Sequence, residues 1–326
     1  MSRWTAVQKT YAMCRRLSAL RGGSIVKYFL DALSCSVRHG ASPENYFVLR
    51  FFELSEAQRR EYLTSGRSKA VDRALNLGAR ADEKQILGRK SLFDRHFAGL
   101  VKRDFVFAAE ADFTAFDAFL DRHPAFILKP DAGTMGRGIE KRRSADVWDR
   151  EAFFHACAEK RLLLEEPIRQ HPELDRINPA CLNSVRINAA RGKDGAVRLI
   201  GACLKCGVGE QISDNFHAGG IAYPVDLDSG RVSGPGRNNR DLTEYGRHPG
   251  TELYMPGFQL PCWAQVSASV LRGMELVPSL GYVGWDVAVG PEGPELIEGN
   301  YSWPGGNIIQ FDGVGKYPII LSCLGE

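Results

Sequence analysis

The chain has 326 residues, 44% of them hydrophobic and 25% charged, with a formal net charge of +3 at pH 7. That is the composition of a globular protein able to bury a sizeable core, in one large domain or two to three subdomains. The small charge and the lack of a dense Lys/Arg run argue against a nucleic-acid partner, and no stretch approaches the ~18 apolar residues of a membrane span. The N-terminus lacks an apolar leader segment. Its eight cysteines are irregularly spaced, and Cys203-Leu-Lys-Cys206 has no second pair to complete a zinc site. A structural role for that pair and a reduced, cytoplasmic chain are expected. Nothing signals an oligomeric state.

Residues 1–104 predict a helical N-terminal subdomain. Val26, Phe29, Leu30 and Leu33 recur at helical spacing. In "LSEAQRREYL" (54–63) Ser55 is an N-cap and Gln58 completes a capping box, which leaves Arg59 and Arg60 on a solvated face. From 105 the texture changes. "DFVFAAE" reads as a strand, and "DFTAFDAFLDRHP" as a helix with an apolar stripe of Phe113, Phe116 and Leu120. "AFILKP" is a strand ended by Pro130. A glycine loop, the charged strand "GIEKRRS", a helix near 146–158 and the strand "RLLLEEP" complete an α+β lid over 105–168. Residues 169–326 are strand-rich: "SVRINAARG", "VRLIGACLKCG" and "GIAYPVDL", then a helix near 263–276. Last comes a hairpin, "WDVAVGPEGPELIEGN" (285–300), about a turn at Gly290–Pro294.

Three groups along this order carry chemistry. In "ILKPDAGTMGRGIE", Lys129 ends a strand and Gly133, Gly136 and Gly138 form a turn whose free N–H groups suit phosphate oxygens. It is neither a P-loop nor a Rossmann fingerprint. In "LLLEEP", Glu165 and Glu166 end an apolar strand that is suited to clamp an adenine. In the hairpin, Asp286, Glu298 and Asn300 interrupt largely buried strands. Glu298 and Asn300, two apart, share a face. Such an oxygen set suits Mg²⁺, because buried carboxylates need a partner. Between these groups lie Asn183, Ser184 and Arg186, then Lys205, then Asp214, Asn215 and His217 in "SDNFHAGGIA". Arg186 and Lys205 sit in apolar strands, as groups that meet phosphate or developing negative charge do. His217 reads either as a satisfied loop histidine or as a group near the substrate.

Taken together, the chain resembles the ATP-grasp superfamily, and most closely its sugar-transfer associated branch. The likeness runs through "HGASPENYFVLRFFELSEAQRREYLT", "LGRKSLFDRHF", "LEEPIRQHPEL", "LNSVRIN", "DNFHAGGIAYPVD" and "GYVGWDVAV…ELIEGN". It implies an α+β ATP-grasp fold, two α+β subdomains clamping ATP, behind the helical N-terminal part, with divisions at 1–104, 105–168 and 169–326. By the same likeness Lys90 and Lys129 contact ATP phosphates, and the loop with Gly133, Thr134, Gly136 and Gly138 closes over them. Glu165, Glu166 and the backbone at Ile168 bind adenine, and the ribose lies somewhere along Gln170 to Glu173. Asp286, Glu298 and Asn300 hold two Mg²⁺ ions; Asn183, Asp214 and Asn215 face the substrate.

Family members commonly activate a carboxylate as an acyl phosphate, which an amine attacks. The implied function is an ATP- and Mg²⁺-dependent carboxylate–amine ligase acting on small-molecule or peptide substrates. A departure is Gly284, two residues before Asp286, where many such ligases carry arginine; Arg186 or Lys205 is expected to supply that charge. With His217 they are the catalytic candidates. Alternatives are a kinase on the same fold, with His217 or Asp214 as base, and a nucleotide-binding scaffold without turnover.

Overall fold

The computed structural model describes residues 3–133, 137–210 and 214–325. Among them seven helices come first: α1 (Arg3–Arg21), α2 (Ile25–His39), α3 (Pro43–Val48), α4 (Glu56–Glu61), α5 (Ser65–Leu75), α6 (Ala81–Gly88) and α7 (Lys90–His96). The capping box at Ser55 and Gln58 is present, and Ser42 and Asn45 form a second at α3. One expectation needs correction. Arg59 is not solvated: its guanidinium donates to both oxygens of Asp31 at 2.8 and 2.7 Å and to the Phe51 carbonyl, tying α4 to α2. The helical repeat of Val26, Leu30 and Leu33 forms the outer face of α2, where these residues are 64%, 59% and 48% exposed. The opposite face of α2, with the small residues Ala32 and Cys35, is the buried one.

The next segment is the lid. It runs β1 (Phe105–Phe107), α8 (Phe113–Arg122), β2 (Ala125–Pro130), β3 (Glu140–Arg143), α9 (Arg150–Glu159) and β4 (Leu162–Glu165). The strands form an antiparallel sheet in the order β1-β4-β2-β3. Phe116, Phe119 and Leu120 of α8 pack with Phe126, Leu128 and Leu164 in a core of their own, while Phe113 stays at its rim. Helix α9 begins later than the sequence suggests because Asp149, not a residue near 146, caps it.

The last part contains α10 (Pro172–Asp175), β5 (Ser184–Arg191), β6 (Val197–Cys206), β7 (Ile221–Val225), α11 (Trp263–Leu276), β8 (Tyr282–Gly290), β9 (Gly293–Asn300) and α12 (Tyr317–Leu324). Its antiparallel sheet has the order β7-β6-β5-β8-β9. Strand alternation divides that sheet. On one face Val185, Ile187, Leu204, Val283, Trp285 and Val287 pack on Phe93 and Phe97 of α7 and Val266, Val270 and Met274 of α11. On the other, Ala190, Ile200, Cys203 and Tyr282 pack on Tyr46, Phe47, Phe51 and Leu63. The N-terminal helices therefore share a core with the sheet.

Cys203 and Cys206, three apart on β6, point to opposite faces and lie in separate cores. Burial pushes the Cys203 thiol up to about 12 and Cys206 well above its ordinary value, as a structural role requires. Among the described residues no helix is long and apolar enough to cross a membrane.

Candidate active site

The β8–β9 hairpin is tighter than its sequence suggests. Gly290 pairs with Gly293, leaving only Pro291 and Glu292 between the strands. Gly293, at φ 103°, takes the left-handed region that this turn needs. The ladder then breaks once: Val287 pairs with Leu296, but Asp286 pairs with Glu298. Ile297 is the extra residue of a β-bulge. Without it, Leu296 and Glu298 would share a face. With it, Leu296 enters the core while Glu298 and Asn300 turn to the side of Asp286. The three polar residues thus converge as expected, and the Asn300 amide donates to Glu298 Oε1 at 2.9 Å.

Two cations from neighbouring strands face this set. Arg186 on β5 lies directly opposite Asp286 in the ladder and grips it with two bonds of 2.8 Å. Lys205 on β6 places Nζ 3.0 Å from Asp286 Oδ1 and 3.8 Å from Asp214 Oδ1. Burial alone would raise Asp286, but Arg186 and Lys205 outweigh it and hold the carboxyl at about 2. Burial and the facing Asp286 push Glu298 upward.

Gly284 makes room for the Arg186 guanidinium, whose Nη1 a Cβ there would meet at 2.9 Å. A Cβ at 284 would collide with the Pro304 carbonyl oxygen, which accepts instead from Arg186 Nη1 at 3.0 Å. The donor set is two carboxylates and one amide rather than three acidic, imidazole or thiol groups, a cluster of which the described residues contain none. It fits a hard divalent cation that takes further ligands from phosphate oxygens.

The lysines come from α7 and from the lid. Lys90, at the start of α7, donates to the Gly133 carbonyl at 3.3 Å. Burial, then the charge of Lys129, lowers its pKa, while Glu298 and Glu165 act the other way. Its position is set by Asp131, whose Oδ1 accepts from the backbone and hydroxyl of Ser91 at 2.9 and 2.7 Å. Lys129 is itself buried and 2.5 Å from Glu165 Oε1.

Behind them Arg103 is almost fully buried and reaches Asp94, Glu165 and Glu295 at 2.6, 3.2 and 3.1 Å. Burial would raise Glu165, yet Arg103 and Lys129 hold it at about 2; Asp94 is raised to about 8 by burial and by Glu165. Arg103, Asp94, Ser91 and Asp131 were not legible as site residues, because no local pattern marks partners so distant in sequence. The carboxylate of Glu165 thus faces protein cations. Glu166 accepts from the Asp104 N–H at 3.2 Å, and Ile168 follows in coil, half-buried.

The other predicted residues divide. Asp214 joins the cluster, its Oδ2 accepting from the hydroxyl and the N–H of Ser184, and burial raises its pKa. Asn183 does not join: its fully buried amide bonds Gln170, Leu174 and Asn178. That also draws Gln170 inward, while Glu173 pairs with Arg176 at the surface. Asn215 accepts from the His217 N–H at 2.9 Å, a local cap. His217 stands apart, its side chain 57% exposed and Nδ1 3.7 Å from Glu44 Oε1. Gly138, at φ 74°, lets the chain pass Pro130, which a Cβ would press at 3.1 Å. Thr134 and Gly136 lie outside the described residues.

The model of the sugar-transfer associated ATP-grasp family matches residues 152–316, half of the chain, including the whole β8–β9 hairpin. Among solved structures, the ATP-grasp ligase PsnB complexed with a minimal precursor is 16% identical with a TM-score of 0.45, covering 76% of this chain and 63% of that one. The ADP complex of purK, N5-carboxyaminoimidazole ribonucleotide synthetase, is 11% identical with a TM-score of 0.43, covering 67% and 45%. D-alanine–D-alanine ligase from Helicobacter pylori is 12% identical with a TM-score of 0.46, covering 76% and 63%. The chain therefore spans less than two thirds of each of these three. No curated protein matches it. An α+β molecule of ATP-grasp fold behind a helical N-terminal region, the chain belongs to the sugar-transfer associated ATP-grasp family.

Proposed function

We propose that the protein is an ATP- and Mg²⁺-dependent carboxylate–amine ligase, which activates a small-molecule or peptide carboxylate as an acyl phosphate and transfers it to an amine. The observation that carries this reading is the bidentate Arg186–Asp286 pair. It puts a guanidinium beside the proposed metal ligands although Gly284 has no side chain to offer one.

Asp286, Glu298 and Asn300 would hold Mg²⁺, which neutralises the triphosphate when bound. Lys90 and Lys129 bind phosphate oxygens from the lid side. Arg186 and Lys205 meet the charge that develops on the transferred phosphoryl group and on the carbonyl oxygen. Arg103, through Glu165, holds Lys129 in place. The substrate carboxylate is itself the nucleophile, so no serine or cysteine is needed. The lid keeps water from the acyl phosphate.

Asp214 supports a second reading. It is buried beside Lys205, its pKa is raised by burial, and it would serve as the base for a hydroxyl acceptor in a kinase. Incubation with ATP, Mg²⁺, hydroxylamine and a panel of carboxylic acids separates the two. The ligase yields ADP and a hydroxamate in equal amounts. A phosphorylated hydroxyl product without hydroxamate would reject it for the kinase, and no turnover at all would favour the scaffold.

A further inference from the structure

A cleft of about 400 Å³ opens between α5, α6 and the chain leaving β9, lined by Lys69, Asp72, Arg73, Lys84 and Trp303 among others. Among the described residues none of its three cations forms an ion pair, although most arginines elsewhere on this surface do. Three positive groups against one carboxylate leave the cleft at +2 when Asp72 is ionised.

Asp72 Oδ2 accepts from the Trp303 N–H at 3.4 Å, while Oδ1 is closed off from solvent without a hydrogen-bond partner. Such an oxygen is costly to keep charged, and burial raises the carboxyl to about 7. Trp303 has a left-handed backbone at φ 62° and is 58% exposed, with Lys69 Nζ 5.1 Å from its ring centroid. Strain of this kind in a non-glycine residue gathers at ligand sites. The cleft is also joined to the proposed metal site. The residue after Trp303 is Pro304, whose carbonyl holds Arg186, and the Asn76 amide bonds the carbonyls of Tyr282 and Tyr301.

We propose that this cleft binds the amine substrate, and that this amine carries its own anionic group, a carboxylate or a phosphate. Lys69, Arg73 and Lys84 face the anion, Trp303 covers the body of the molecule and the negative charge of Asp72 attracts the ammonium. The assignment rests on the ligase reading. An amine without an anion meets a net positive field; an anion without an amine leaves Asp72 unpaired.

The test is calorimetric titration of protein saturated with Mg²⁺ and a non-hydrolysable ATP analogue. The probes are L-glutamate and phosphoethanolamine, with glutarate, inorganic phosphate and ethanolamine for comparison. Saturable binding of L-glutamate, phosphoethanolamine or both is expected, and the tighter of the two assigns carboxylate or phosphate. Lys69→Ala or Arg73→Ala, both at exposed positions, is expected to weaken that probe about tenfold. Asp72→Asn is expected to weaken the amine-bearing probes but not glutarate or phosphate. Affinity for the ATP analogue reports folding of each variant.

Ethanolamine binding as tightly as the amino acids, no saturable binding of either, or indifference to both cation variants would overturn the proposal. If that happens while ATP-dependent hydroxamate still forms, the cleft assignment falls and the ligase stands. Probe binding that behaves as expected with no hydroxamate rejects the ligase instead.

Discussion

At Gly284 the Pro304 carbonyl and the Arg186 guanidinium fill the space that a side chain would need. The ladder partner of Asp286 supplies that guanidinium. Arg186→Ala is expected to lower kcat by about 10²- to 10³-fold, with partial recovery in Arg186→Lys, which keeps the charge and loses the fork. Glu165 is held at about 2 against an ordinary 4.5 by Arg103 and Lys129, although burial acts the other way. Its ionised form is favoured by folding, so its contribution is fully present above pH 4.5 and is lost as pH falls toward 2. Glu165→Gln is expected to lose about 3 kcal/mol at pH 7, with the gap to the parent narrowing below pH 4.5, as read from urea midpoints across pH.

At this scale the sequence was informative where a charged residue interrupts an apolar strand, as at Asp286, Glu298, Arg186 and Lys205. It was silent on Arg103, whose partners stand 9, 62 and 192 residues away. Asn183 sits at the edge of an apolar strand like the others, yet its amide only pins a turn.

At the scale of elements, strands were easier to place than their local defects. Composition marked β2, β4, β5 and β8 near their observed bounds, and α11 matched its expected range. The bulge at Ile297 carries no comparable signal, because one inserted residue leaves composition unchanged while reversing every side chain beyond it. Helix α2 shows the converse: its apolar spacing gave the helix, but not which face is buried. Ala32 and Cys35 win the inner face because small side chains allow close approach to neighbouring helices.

The hairpin is anchored from behind by Trp285, fully buried against Phe93 and Phe97 at ring distances of 6.4 and 5.4 Å. Gly273 and Gly299 lie under the same indole. Trp285→Ala is expected to cost about 3–5 kcal/mol, measured as a lower denaturant midpoint with an unchanged slope. An effect below about 1 kcal/mol would mean that the hairpin does not depend on this anchor.

At the scale of the molecule, the site forms where two sheets and the helical layer meet. Lys129 comes from the lid, Lys90 from α7, and the acidic set from the larger sheet. The order of elements made both sheets legible; the shared core of N-terminal helices and sheet was not, since the contacts joining Leu63 to Gln310 span 247 residues. In the proposed reaction this junction moves the γ-phosphoryl group of ATP onto a carboxylate. The most direct measurement uses an acid that forms hydroxamate, labelled with ¹⁸O in its carboxylate, together with ATP, Mg²⁺ and an amine. One ¹⁸O atom is expected in each inorganic phosphate released. Unlabelled phosphate, or label recovered only in the acid, would contradict it.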